Sequence, residues 1–400
     1  MKLGTSHLTY CTNIHPAHGF SEVWESLKRH ALPLKASLSP DAPFGIGLRL
    51  SGEESQEILE GDTLARFKAW LDEHGLYVFT MNGFPHGPFH AQPVKAQVHA
   101  PDWRTDERVD YTVRLARSLA ELLPDGVTGG ISTSPLSYKA WVDETDAATW
   151  RQLTQSVVRV AEHLAELHAE RGVLIHLDLE PEPDGLLENM GELTHFFGRW
   201  LLRDGAEMLA ERLNISVDTA KETLLKYVQV CFDTCHVALA YEEPADVLAQ
   251  FDALGIRVGK VQLSSALELI PGRADETRRA LEPYDEPVYL HQVIQQHRDG
   301  SLKRFSDLPE ALAALPQRDA ARWRVHFHVP VFLERAGAFG TTQKTILETL
   351  KLHRQRPFTD HLEIETYTWS ILPDALKRDL TASVERELRW AQDAFRTLPT

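Results

Sequence analysis

The chain has 400 residues, 43% of them hydrophobic, which is ample for a large core, and a formal net charge of -16 from 58 acidic against 42 basic side chains. No Lys/Arg block runs longer than two, so the acidity argues against a nucleic-acid partner and reads as a solubility device. Cys11, Cys231 and Cys235 form no disulfide scaffold, the N-terminal segment lacks the apolar stretch of a secretory signal, and no apolar run approaches membrane-spanning length, so the expectation is a cytoplasmic protein without a membrane span.

In chain order, short apolar or alternating runs predict strands at Leu8–Ile14, Phe44–Leu50, Tyr77–Met81, Gly129–Thr133, Val173–Leu179, Val228–Phe232, Val258–Leu263 and Leu362–Thr366. Helical spacing predicts helices over Phe20–His30, Ser51–Gly75, Asp106–Leu123, Asp146–Arg171, Pro244–Leu254 and Gly340–Gln355, with one or two more inside Gly191–Leu225. Eight strands alternating with helices predict a parallel sheet closed into a (β/α)8 TIM barrel. No linker or low-complexity segment divides the chain, so one domain over residues 1–400 is expected.

Two segments break the rhythm. Phe84–Arg108 is rich in His and Pro and is expected as a long loop over the barrel mouth. Residues 266–338 are expected as an insertion over the mouth between strands seven and eight. They contain a hairpin, Val288–Gln295 with Ser301–Phe305 around Asp299-Gly300, and a strand-like run, Val325–Phe332. That run could instead be a barrel strand, with another strand misassigned.

Barrel strands end at the functional face, and several here end in metal-ligand residue types. On strand five His176, Asp178, Glu180 and Glu182 alternate with apolar residues and so share a face. An inward row of carboxylates is costly unless paired or metal-bound. Asp233 closes strand six, with His236 three residues on, although an Asp there also suits a helix cap. Glu363 and Glu365 share a face of the last strand, and Glu365 is nearer the mouth. His326 and His328 form a His-x-His pair on the strand-like run, a chelating spacing that also occurs as core hydrogen bonding. Carboxylates with a divalent ion suit proton transfer beside a carbonyl, or hydrolysis by a metal-bound water. Carboxylate-rich ligation leans toward Mn or Mg, and added histidines lean toward Zn; Co is the remaining candidate.

The segments Leu179-Glu180-Pro181, Phe232-Asp233-Thr234-Cys235-His236 and Glu363-Ile364-Glu365-Thr366 resemble the xylose isomerase-like TIM barrels, which include sugar epimerases and the endonuclease IV group. That resemblance implies Glu180, Asp233 and Glu365 as metal ligands, Glu180 or Glu365 also as catalytic base, and His236 as ligand or substrate contact. Where the superfamily has a His on strand seven, this chain has Gln262, which would coordinate through its oxygen or yield to His291, His326 or His328. At closer range the chain is similar to the EboE-like metabolite-traffic barrels of the Ebo gene cluster. The likeness is carried by Tyr10–Pro16, Phe44–Ser51, Phe79–Pro85, Ser132–Ser137 and His326–Pro330. It implies a place in a secondary-metabolite pathway, alongside other proteins of that pathway. These segments fall at predicted strand ends, which makes Asn13, His15, Arg49, Asn82, His86 and Ser134 candidate substrate contacts; His291 is a further one. The leading expectation is a metal-dependent isomerase or epimerase of a small polyhydroxy or carbonyl metabolite. The alternatives are a hydrolase or lyase of a phosphorylated or conjugated metabolite, and a non-catalytic metabolite carrier.

Overall fold

Eight strands carry the fold: β1 (Ser6–Tyr10), β2 (Phe44–Arg49), β3 (Leu76–Asn82), β4 (Gly129–Thr133), β5 (Ile175–Leu179), β6 (Val228–Asp233), β7 (Val258–Leu263) and β8 (His361–Ile364). In the computed structural model, which describes residues 1–90, 93–316, 320–372 and 379–399, they lie in the order β2-β3-β4-β5-β6-β7-β8-β1. All these pairings are parallel. A parallel bridge between Cys11 and Gly47 brings the end of β1 back to β2 and closes the barrel. A two-residue strand, Lys2–Leu3, pairs antiparallel with the start of β1.

Local chemistry sets the return helices. Ala147–Arg171 starts where the Asp146 carboxylate accepts the Ala148 and Thr149 amides, and it ends at Gly172 in the left-handed conformation. It buries Leu153, Val157, Val160, Ala161, Leu164 and Leu167, and each such Leu or Val contributes on the order of 1.5–3 kcal/mol. Ser51 and Glu54 form a capping box that starts Gly52–Glu57, but the predicted Ser51–Gly75 helix breaks at Gly61 and resumes as Thr63–Glu73. The first helix runs on from His30 to Leu38 with Pro33 inside it. The Gly191–Leu225 stretch holds Met190–Phe196, Ala206–Leu213 and Val217–Tyr227, with a π-helical segment at Phe197–Gly205. The first strand stops at Tyr10, and Thr12–Ile14 forms a 3-10 turn instead of the predicted extension.

Between β7 and β8 the chain leaves the barrel and builds a second sheet of six short antiparallel strands, which lie between Leu267 and Thr341. Its hairpin pairs Val293–His297 with Leu302–Phe305 around Gly300, whose φ is +86°. The helix Gln343–Gln355 then returns to β8. The strand-like run needs correction: the strand is Ala320–Val325, and His326–Phe332 lies outside any strand. Pro330 has no amide to donate, and His326 and Val329 donate instead to the carbonyls of Gln292 and Ser265. His326 and His328 therefore project from an irregular segment rather than from a strand face. Among the described residues, no helix is long and apolar enough to cross a membrane.

Candidate metal centre

Period-two alternation lines the barrel interior with polar side chains in tiers. In the lowest, His176 Nδ1 lies 2.6 Å from Asp178 Oδ1. Above it, Lys260 Nζ reaches across the barrel to Glu363 Oε2 at 2.8 Å and to Met81 O and Ser132 Oγ, each at 3.2 Å; Lys260 and Glu363 are fully buried. Gly47 leaves room for this pair, since a Cβ there would lie 1.7 Å from Glu363 Oε1.

The uppermost tier sits at the C-terminal ends of the strands. Glu180 follows β5, Asp233 ends β6 and Glu365 follows β8, and one oxygen from each lies within 4.8 Å of the others. Asp233 does two things. Its Oδ1 caps the next helix by accepting the Cys235 and His236 amides at 2.7 and 3.0 Å, and it accepts Ser264 Oγ at 2.6 Å. Its Oδ2 is left without a partner, as is Glu180 Oε2. Glu365 Oε1 accepts the side-chain amides of Asn13 and Asn82 at 2.8 and 3.0 Å.

Three imidazoles close in from the side. His236 Nδ1 stands 3.8 Å from Glu180 Oε1 and 3.9 Å from Asp233 Oδ1. His328 Nδ1 donates to the Glu365 carbonyl at 2.8 Å, which leaves Nε2 as the bare lone pair, and that nitrogen has no partner. His326 Nδ1 is likewise engaged by Gln292 Oε1 at 2.8 Å, and its Nε2 faces His236 Nε2 at 3.3 Å. Asp233, His236 and His328 form one close donor set, and Glu182, His236 and His326 another.

The electrostatics run in one direction. Burial, then the neighbouring carboxylates, pushes Glu180 and Glu365 well above the usual carboxylate range. Burial, reinforced by the facing imidazoles, holds His326 well below its ordinary value, and burial brings His328 down to about 4. The folded site thus holds neutral imidazole lone pairs beside crowded carboxylates. A divalent cation would neutralise that crowding and engage the orphaned oxygens and Nε2, so the donor set fits such an ion. A cavity opens above, with Asn13, Asn82, Glu180, His236, His326, His328 and Glu365 in its lining.

The remaining sequence candidates lie elsewhere. Gln262 sits beside Asp233 in register, but its Oε1 accepts the Cys231 thiol at 2.8 Å and it does not line the cavity. Arg49 is held by Glu54 at 3.5 Å and by the carbonyls of Pro85 and Gly87. His15 bonds Tyr10 Oη at 3.0 Å and stacks on His30. His86 packs edge-on against Tyr111, and His291 bridges His326 O and Glu286. Ser134 is buried with its hydroxyl unpartnered, outside the cavity lining. Glu182 and His99, 3.0 Å apart, join the lining with Gln292, Tyr289 and Tyr367. Of these, His99 was signalled only by the His-rich composition of its loop.

Fold and site together define an α/β barrel with a buried carboxylate–imidazole cluster at its C-terminal mouth. No protein-family model and no curated protein matches the chain. Among solved structures it is similar to an IolI protein with a bound zinc atom, at 13% identity over 98% of this chain and 99% of that one, with a TM-score of 0.46. It is similar to a D-tagatose 3-epimerase-like protein, at 10% identity over 98% of each chain, with a TM-score of 0.47. A xylose isomerase domain protein from Alicyclobacillus acidocaldarius shares 13% identity over 97% of each chain, with a TM-score of 0.44.

Proposed function

We propose that the protein is a metal-dependent isomerase or epimerase of a small polyhydroxy or carbonyl metabolite. The observation that carries this is the convergence of Glu180, Asp233 and Glu365 from three strand ends, with unpartnered oxygens and the bare Nε2 of His328 beside them. Asp233, Glu365, Glu180 and one or more of His236, His326 and His328 would hold the ion. When bound, a divalent ion polarises adjacent carbonyl and hydroxyl oxygens and so eases removal of a proton from the neighbouring carbon. Glu365, clamped by Asn13 and Asn82, is the fixed group. Glu180, with a free Oε2, is positioned to accept the proton and return it. Three imidazoles in the donor set favour Zn or Co over Mg, with Mn between. As part of the same reading the chain acts on an Ebo-type secondary metabolite in the cytoplasm, with other proteins of that pathway. The segment 266–338 serves the barrel by delivering His326 and His328.

The test is the ion content of protein purified without chelator, for wild type, Asp233→Asn and Glu365→Gln. Near one ion per chain in the wild type, lost in both variants, supports the reading and justifies screening aldose–ketose and epimer pairs. A wild type that holds no ion and gains no thermal stability from Mn, Mg, Co or Zn refutes it and leaves a metabolite carrier.

A further inference from the structure

The cavity over the carboxylates has two zones. Its floor is the polar cluster just described. Its roof is apolar and comes from three separate places: Phe84 and Phe89 in the loop after β3, Tyr289 and Leu290 in the excursion, and Tyr367 after β8. The rings of Phe89, Tyr289 and Tyr367 stand 5.1, 5.5 and 5.0 Å apart. Phe89, Tyr289 and Val94 form a small hydrophobic cluster of their own, and Tyr367 packs against both it and the main core. The roof segments hold one another, because the Val94 and Lys95 amides donate to Val288 O at 2.7 and 3.1 Å and Tyr289 Oη donates to Phe89 O at 3.0 Å. The Tyr367 ring lies 4.4 Å from that of His328, so the two zones meet at an imidazole.

Charge narrows the occupant further. The lining contains no arginine among the described residues, and its one lysine, Lys95, is 2.5 Å from the Asp307 carboxylate. The floor adds the carboxylates of Glu180, Glu182 and Glu365. Beyond the ion itself, a phosphorylated ligand would find no free guanidinium or ammonium in the lining to receive it. Aromatic walls reward a planar ring by edge and face contacts.

We infer that the substrate is an uncharged amphipathic compound, with paired oxygens at one end that reach the carboxylate–imidazole floor and an aromatic ring that lies under the roof. This rests on the metal-dependent reading above. Three hydroxamates with one chelating head test it: acetohydroxamate, benzohydroxamate and phosphonoacetohydroxamate. They are titrated calorimetrically into Zn-loaded full-length protein, and the ion content of every variant is measured alongside. The expected result is at least tenfold tighter binding of benzohydroxamate than of acetohydroxamate. That ratio should collapse toward one in Phe89→Ala and Tyr289→Ala and survive in Tyr289→Phe. A ratio near one in the wild type, or tightest binding of the phosphonate, overturns the inference while leaving the metal site intact. A wild-type ion content far below one per chain instead marks failure of the metal reading. The roof is then judged on benzyl alcohol by saturation-transfer NMR, and an equal signal in wild type and both alanine variants overturns it.

Discussion

Replacing Lys260 by Met removes the one fully buried ammonium among the described residues while keeping much of its volume. Its partner Glu363 then remains at zero exposure with Oε2 stripped of its 2.8 Å bond and Oε1 already unpartnered. Breaking a buried ion pair from one side costs roughly 3–5 kcal/mol, whereas exchanging both partners for apolar groups of similar volume is close to neutral. At about 2.1 cal/mol/K of unfolding entropy per residue, a chain of this length should lose roughly 4–6 °C in Tm. Scanning calorimetry in the presence of chelator measures it, with Lys260→Met, Glu363→Met and the double variant side by side. The double variant should regain most of the loss. If the double variant melts as low as Lys260→Met alone, the cost was lost packing and lost bonds to Met81 and Ser132, and the charge reasoning is refuted.

Gly47→Ala should cost about 3 kcal/mol or more in the same assay, because the new Cβ would sit 1.7 Å from Glu363 Oε1 and 2.8 Å from the Tyr10 carbonyl, and the carbonyl belongs to the barrel wall. Gly198→Ala, with nothing within 4 Å, should stay within about 0.5 kcal/mol; similar losses at both positions would sink the contact argument. Glu387, buried and accepting Val331 N and Thr366 Oγ, is pushed by burial from its ordinary 4.5 to about 7. The fold therefore prefers its protonated form: the stability it contributes is full below pH 4.5, falls as pH rises toward 7 and levels off above, by roughly 3 kcal/mol in all. Glu387→Gln should flatten that part of the urea-unfolding profile, and an unchanged slope between pH 4.5 and 7 would count against it.

The barrel was legible because its signal is local. Apolar runs of strand length alternate with amphipathic helices, and the period of two in residues 175–180 and 361–365 places every second side chain inside. The carboxylates at strand ends follow from the same period, since Glu180, Asp233 and Glu365 are the polar residues at which apolar runs stop. What stayed hidden depends on partners distant in the chain. Arg49 reads as a substrate contact at a strand end, but Glu54 and two loop carbonyls engage it. Lys260 and Glu363 lie far apart in the chain, and nothing local signals that they pair inside the barrel. His326 and His328 fit a strand by alternation, yet Pro330 and the donation of Val329 to Ser265 O bend the segment out of any sheet. The aromatic roof draws on three loops, and no periodicity links Phe89, Tyr289 and Tyr367.

The donor atoms at the mouth come from two sources. Glu180, Asp233, His236 and Glu365 belong to the barrel and its return helices, whereas His326 and His328 arrive on a segment that the eight strands do not need in order to close. The hard oxygen donors and the His236 imidazole are thus tied to the scaffold, and the other two imidazoles ride on an appendage. Substitutions confined to that appendage would shift the site between an oxygen-dominated and a nitrogen-richer environment, and so change which ion the proposed site prefers, while the strand-to-strand ladder of the barrel stays as it is.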